Sequence, residues 1–273
     1  MAVIIPPIRL RAFEYRGRLE GGRSRPHLVA CLDTEGKERS VVLKLREIRK
    51  AGCTFGAASL ACELVCSMLA RAAGLSVPDY AIVEVPDGFE RFAEDRESQD
   101  EIRRNPGENF GSSYHEDHAR YLRGMGMGPV GRGQIESILA FDAYALNNDR
   151  KATNPNLLVR GETILLIDHS LAFAHLGSPD VAEPWKEWLP DDQIREHCTF
   201  QDLRGTGPTF ELFVDFLANS LTDENCREML DLIPDSWQRP DHDDKDSVLR
   251  YLLRRSQPYL ETEPGRLAQV CRS

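Results

Sequence analysis

The sequence predicts an α+β chain in two unequal lobes: an N-terminal antiparallel sheet with one helix, then a mainly helical half carrying a small β hairpin. Three observations lead there. Short apolar runs separated by polar turns fill the first fifty residues, a single helix of period 3.6 follows, and beyond a glycine-crowded stretch at residues 124–133 the pattern is helical apart from two short buried strands. Composition places the lobes at residues 1–123, with a charged insertion near 87–108, and 124–273.

Each element has its own signal. Ile8, Leu10, Ala12 and Tyr15 alternate imperfectly, His27 to Leu32 is a second apolar run, and Val41-Val42-Leu43-Lys44-Leu45 is a third. The turns at Gly21-Gly22 and Asp33-Thr34-Glu35-Gly36 make a hairpin meander of these strands. From Ala57 to Ala73 the residues Leu60, Leu64, Met68 and Ala72 share one helical face, and Gly74 stops the helix. Pro78 to Val85 returns to strand. Pro86 to Asn109 is charged and poor in apolar residues, so it reads as an exposed loop or insertion with room for one short helix. Gly124 to Gly133 reads as a linker or a mobile loop between lobes, followed by a helix from Gln134 to Leu146 with Ile135, Ile138, Leu139 and Ala143 inward. Leu157-Leu158-Val159 and Leu165-Leu166-Ile167 form the hairpin around Arg160-Gly161-Glu162. Helices are expected at Thr209–Leu221, Thr222–Leu232 and Asp246–Tyr259, with residues 241–246 as a solvated acidic connector and Trp185, Trp188 and Trp237 as packing groups.

A chain of 273 residues with 41% hydrophobic and 29% charged residues buries a sizeable core. Its net charge of −10 weighs against direct nucleic-acid binding, which needs a basic surface. No apolar run reaches membrane-spanning length, and Met1 to Pro7 lacks the basic region of a secretory leader. Seven cysteines without CxxC pairing read as reduced thiols, so a cytoplasmic location is expected.

The chemistry concentrates at Asn147-Asn148-Asp149-Arg150 through Asn154-Pro155-Asn156, followed by Ile167-Asp168-His169. An aspartate after an apolar helix, then amides, then a hairpin ending in a second aspartate, is what phosphoryl transfer from a metal nucleotide requires. One carboxylate orients the attacking hydroxyl; an amide and another carboxylate hold Mg²⁺ between phosphates. Asn154 lies five residues after Asp149 and Asn156 directly precedes the strand, so both are candidate metal ligands with Asp168. Arg150 or Lys151 is a candidate for neutralising the transferring group.

Alone, Lys44 reads as an edge-strand lysine snorkelling to water, and Glu63 as a surface glutamate. Together, a lysine in the third strand and a glutamate in the next helix match the ion pair that orients nucleotide phosphates. Gly21, Gly22 and Ser24 lie ahead of Lys44 where a phosphate-cradling loop belongs, and a second glycine loop holds Gly52 and Gly56. His115 and His118 have a metal-like spacing, but their flanks favour an exposed polar segment; Cys62 and Cys66 read as core.

These blocks, with Gly74-Leu75-Ser76-Val77-Pro78, Phe110-Gly111-Ser112-Ser113-Tyr114 and Ile233-Pro234-Asp235-Ser236-Trp237, resemble the bacterial HipA-like kinase domain over most of the chain. The resemblance implies a two-lobed protein-kinase-like fold, ATP and Mg²⁺ as cofactors, and an ATP-dependent serine/threonine phosphotransferase. It implies Lys44 on the phosphates, Glu63 positioning it, Asp149 as base, Asn154 or Asn156 with Asp168 on the metal, and Ser24 as the match to an autophosphorylated loop serine. The chain departs from the family pattern at Arg23, inserted in the Gly-Gly-Ser loop, and at Ser170, where glycine commonly follows the histidine. The competing readings are a kinase-like module that binds nucleotide or partner without turnover, a kinase for a small-molecule or lipid hydroxyl, and nucleotidyl transfer.

Overall fold

The structure, a computed structural model, describes residues 3–19, 25–50, 53–125, 128–173, 182–237 and 244–273. Strands β1 (Ile8–Arg18), β2 (His27–Asp33) and β3 (Glu38–Lys44) form the expected meander, paired antiparallel in order. A small hairpin, β4 (Ile48–Lys50) and β5 (Cys53–Phe55), precedes helix α1 (Ala57–Ala72). After α1 the chain enters β6 (Tyr80–Val85), then helix α2 (Arg96–Arg103) and β7 (Gly107–Ser113).

The N-terminal sheet differs from the wholly antiparallel pairing expected. Its strands close as a barrel in the order β1-β2-β3-β7-β6, and the closing pair, β1 with β6, is parallel. The helical crossover through α1 makes that possible, since parallel neighbours cannot be joined by a tight turn. Alternation then sorts the side chains: Leu10, Ala12, Val29, Cys31, Val41, Leu43, Ala81, Val83 and Val85 form one core. The charged insertion is not an exposed loop. It packs Phe89, Ala93 and Ile102 onto that core, and Glu101 and Asn105 are buried. Glu101 pairs with Arg18 and His27, and the Asn105 amide bonds the backbone of Glu47 in both directions. Few apolar residues sufficed because three of them and a polar network reach inward.

Strand β8 (Ala119–Arg120) leads into helix α3 (Pro129–Ala145), then β9 (Leu157–Arg160) and β10 (Thr163–Leu166), whose sheet order is β10-β9-β8. Helix α3 starts earlier than expected, within the glycine-rich stretch. Pro129 suits a first helical turn, and Gly133 sits where an added Cβ would lie 3.3 Å from Leu212 Cδ1. That glycine serves close helix packing, not a linker. Helices α4 (Asp191–Glu196), α5 (Phe200–Leu203), α6 (Glu211–Asn219), α7 (Asp223–Asp231) and α8 (Asp244–Arg272) complete the chain. Helix α8 runs past Tyr259 despite Pro258 and Pro264, with Tyr251, Leu252, Tyr259, Leu267 and Cys271 buried along it. Residues 241–243 of the expected acidic connector lie outside the described residues, and Asp244 already begins the helix.

Helix α1 lies between the two halves. Leu60, Leu64 and Met68 join a second core with Tyr80, Ile82 and Phe110 from the barrel strands and with residues of α3 and α6 to α8. Trp237 is buried there, while Trp185 and Trp188 pack at its edge under Arg254 and Arg255. Among the described residues no helix is long and apolar enough to cross a membrane.

Candidate active site

Strand periodicity delivers the first side chain. Val41 and Leu43 point into the barrel core, so Val42 and Lys44 face the other way, into a cleft of about 310 Å³ between the barrel and the β9–β10 hairpin. Lys44 is buried and donates to Glu63 and to Asp168 Oδ1 at 2.8 Å. Glu63 sits on α1, and its other oxygen accepts the His169 amide at 2.9 Å. The lysine and glutamate that each read as surface residues alone are therefore one buried ion pair, and a second carboxylate shares the ammonium.

Burial would strip the proton from Lys44, but Asp168 and Glu63 outweigh it and hold the pKa above its ordinary value. Burial pushes Glu63 up to about 7. Burial also opposes ionisation of Asp168, yet Lys44 overcomes it and holds that carboxyl below the usual range. Above about pH 7, where Glu63 as well as Asp168 is ionised, two carboxylates share one ammonium and leave this cluster with excess negative charge, suited to a further cation.

Asp149 follows α3 after Leu146, which ends the helix in a left-handed conformation. Its Oδ2 accepts the Asn154 amide at 3.1 Å and the Asn156 amide at 3.3 Å. Both asparagines line the cleft with Asp168. Asn156 and Asp168 have φ of 46° and 59°, a conformation that costs a non-glycine residue about 1–3 kcal/mol and clusters at functional sites. The Asn156 carbonyl accepts the Ile167 amide at 3.0 Å, so this asparagine is fixed beside the residue preceding Asp168. Ser170, at the position where the family pattern has glycine, donates to Asp168 Oδ1 at 2.7 Å and helps set its orientation.

Arg150 does not face the cleft, contrary to the sequence expectation. Its side chain is fully buried, paired with Asp142 at 2.5 Å, and donates to the carbonyls of Asn156 and Ile167. Its guanidinium thus ties the asparagine-bearing loop to the strand that ends near Asp168. Asp142 also accepts from Asn147 at 2.8 Å and meets His197 at 2.9 Å. Burial opposes ionisation of Asp142, but Arg150 and His197 prevail and lower its pKa to about 2. Sequence reading missed both partners. Asp142 had a signal, being the one carboxylate in the apolar run Ile138 to Ala145; His197 had none.

Burial and the neighbouring Arg150 push His169 down to about 3, so it is a neutral ring packed edge-on against Phe141, and its backbone amide makes the contact to Glu63. His115 and His118 are half-buried and line the cleft with ring centroids 4.8 Å apart, while Glu116 and Asp117 between them are exposed, as the polar flanks suggest. Cys66 is core as expected. Gly21, Gly22, Ser24 and Gly52 lie outside the described residues. Leu19 and Pro26, which flank that loop, line the cleft, and the Leu19 amide bonds the Pro26 carbonyl at 2.9 Å.

Asp168 and the two asparagines, all lining the cleft, carry side-chain oxygens, a donor type matched to a hard cation. Among the described residues no group of three or more His, Cys, Asp and Glu converges as a metal cage. A cation of the Mg²⁺ type, bound through one or two protein oxygens, waters and substrate phosphates, fits such a partial set.

A family model described as HipA-like kinase matches residues 14–261. A comparison with curated proteins finds no match. Two solved structures are similar: a Helicobacter pylori proinflammatory kinase, CtkA, at 11% identity and TM-score 0.47, covering 98% of this chain and 100% of that one; and hydra Fam20 with sugar, at 11% identity and TM-score 0.42, covering 97% of this chain and 89% of that one. With the family match running through the barrel, the cleft and most of the helical half, the chain belongs to the HipA-like kinase family.

Proposed function

We propose that the protein transfers the γ-phosphoryl group of ATP, with Mg²⁺, to a serine or threonine hydroxyl of a protein acceptor. The observation that carries this reading is the meeting of Lys44, Glu63 and Asp168 in one cleft with the asparagines that orient Asp149. Val42 and Leu158 line the same cleft with apolar surface suited to a purine. In this reading residues 1–123 are the nucleotide-binding lobe and 124–273 the catalytic lobe.

Lys44 binds phosphate oxygens, and Glu63 holds its ammonium in place. Asp168 and Asn156 hold the metal; Asn156 is preferred over Asn154 because its backbone is bonded to Ile167. Bound Mg²⁺ supplies charge neutralisation across the phosphates. Asp149 accepts the acceptor hydroxyl's proton as transfer proceeds, its carboxylate oriented by the two amides. Arg150 acts as a positioning residue through the carbonyls it binds. Gly21, Gly22 and Ser24 are assigned to the phosphate loop on their order ahead of Lys44.

The test is transfer from γ-labelled ATP into a protein extract. Asp149→Ala and Asp168→Ala should each lose roughly 10²-fold or more of the rate, with unchanged circular dichroism. Full transfer by either variant would refute the assignment.

A further inference from the structure

Residues 151–156 border two cavities. Asn154 and Asn156 line the nucleotide cleft, whereas Lys151, Ala152, Thr153 and Pro155 line a second groove of about 480 Å³ on the other side. The groove comes within two residues of Asp149, and the Lys151 amide bonds the Asp149 carbonyl at 2.9 Å. Its far wall is held to the same loop, because the Cys198 amide donates to the Arg150 carbonyl at 3.0 Å. An acceptor lying here would rest against the backbone that carries Asp149.

The lining has a definite chemistry. Leu122 (67% exposed), Pro155 and Cys198 give apolar surface. Arg123, Lys151 and Arg195 place three cations around it against one carboxylate among the described lining residues, Glu196, which is paired with Lys151 at 2.7 Å. Arg195 donates to the neutral Ser273 hydroxyl, and Arg123 and Arg195 are both exposed. A local cationic excess on a chain of net charge −10 selects for anionic partners at this face. An apolar floor between the cations favours a peptide over a nucleic acid, whose backbone would leave that floor unused.

We propose that this groove docks the acceptor as an extended peptide with acidic residues flanking the phosphorylatable hydroxyl. The proposal rests on the phosphotransfer reading and names its substrate class.

The experiment is fluorescence anisotropy of the full chain with labelled serine-centred peptides whose flanks are acidic, neutral or basic. Acidic flanks should bind at least tenfold tighter than basic ones, and Arg123→Glu with Arg195→Glu should reverse that order. No preference, no peptide binding, a preference that survives the double charge reversal, or tighter binding of a single-stranded oligonucleotide or anionic vesicles would overturn the proposal. Calorimetry with Mg²⁺ and ATP on the same protein separates the two readings, since its outcome bears on the cleft and not on the groove.

Discussion

Lys44 shows why single residues misled and pairs did not. A lysine in an apolar strand is ambiguous; fixed to Glu63 and Asp168 it becomes the electrostatic centre of the cleft. The raised pKa of Glu63 has a functional consequence. Below about pH 7 it takes up a proton and surrenders Lys44 to Asp168, so phosphotransfer should fall on the acid side with a midpoint near 7. Stability should not fall with it. A carboxyl whose folded pKa is raised binds its proton in the folded state first, so between about 7 and 4.5 this group favours folding more as pH drops. Rate and urea-denaturation profiles from pH 5.5 to 8.5 check this, and Glu63→Gln should flatten the acid limb. Asp142 behaves oppositely. Its lowered pKa contributes stability above 3.8 that is lost as pH falls toward about 2. Asp142→Asn should cost ~3 kcal/mol or more at neutral pH, because Arg150 would be left buried without its counter-ion. Denaturant titration of that variant should show the gap to wild type closing in acid.

At the scale of elements, periodicity made most of the first half legible. The alternation across Val41 to Lys44 and the helical face through Leu60, Leu64 and Met68 are local properties, and both appear where the pattern puts them. Barrel closure was not legible, because the pairing of Ile8–Arg11 with Ala81–Glu84 depends on a crossover that no local pattern records. The insertion was misread for a related reason: Glu101 and Asn105 are polar in sequence and buried by partners far along the chain. Gly111 shows the same limit, since nothing local in the sequence marks it as a tightly packed position. An added Cβ would lie 2.5 Å from Val83 and 2.7 Å from Val41, both core side chains. Gly111→Ala should therefore destabilise by ~1–3 kcal/mol, read as a lowered thermal midpoint. A variant as stable as wild type would show that the strand can shift without cost.

Across the whole molecule, the cleft is assembled from residues as distant as Lys44 and Asp168, bridged by a helix packed in the second core with residues of both halves and by a hairpin bonded to the segment after it, where the Leu166 amide meets the Ser76 carbonyl at 2.9 Å. The order of these residues along the sequence was readable; their convergence needed α1 as the shared wall. The buried Asp142–Arg150–His197 cluster holds the asparagine-bearing loop through the Arg150 guanidinium, a structural task with only one visible trace in the sequence. The most direct measurement is a crystal structure with a non-hydrolysable ATP analogue and Mn²⁺, using the ion's anomalous scattering. The metal should lie on Asp168 and an asparagine amide oxygen, with phosphates at Lys44 and the terminal phosphate facing Asp149. A metal or nucleotide bound away from those side chains, or no binding at all, would contradict the assignment of this cleft.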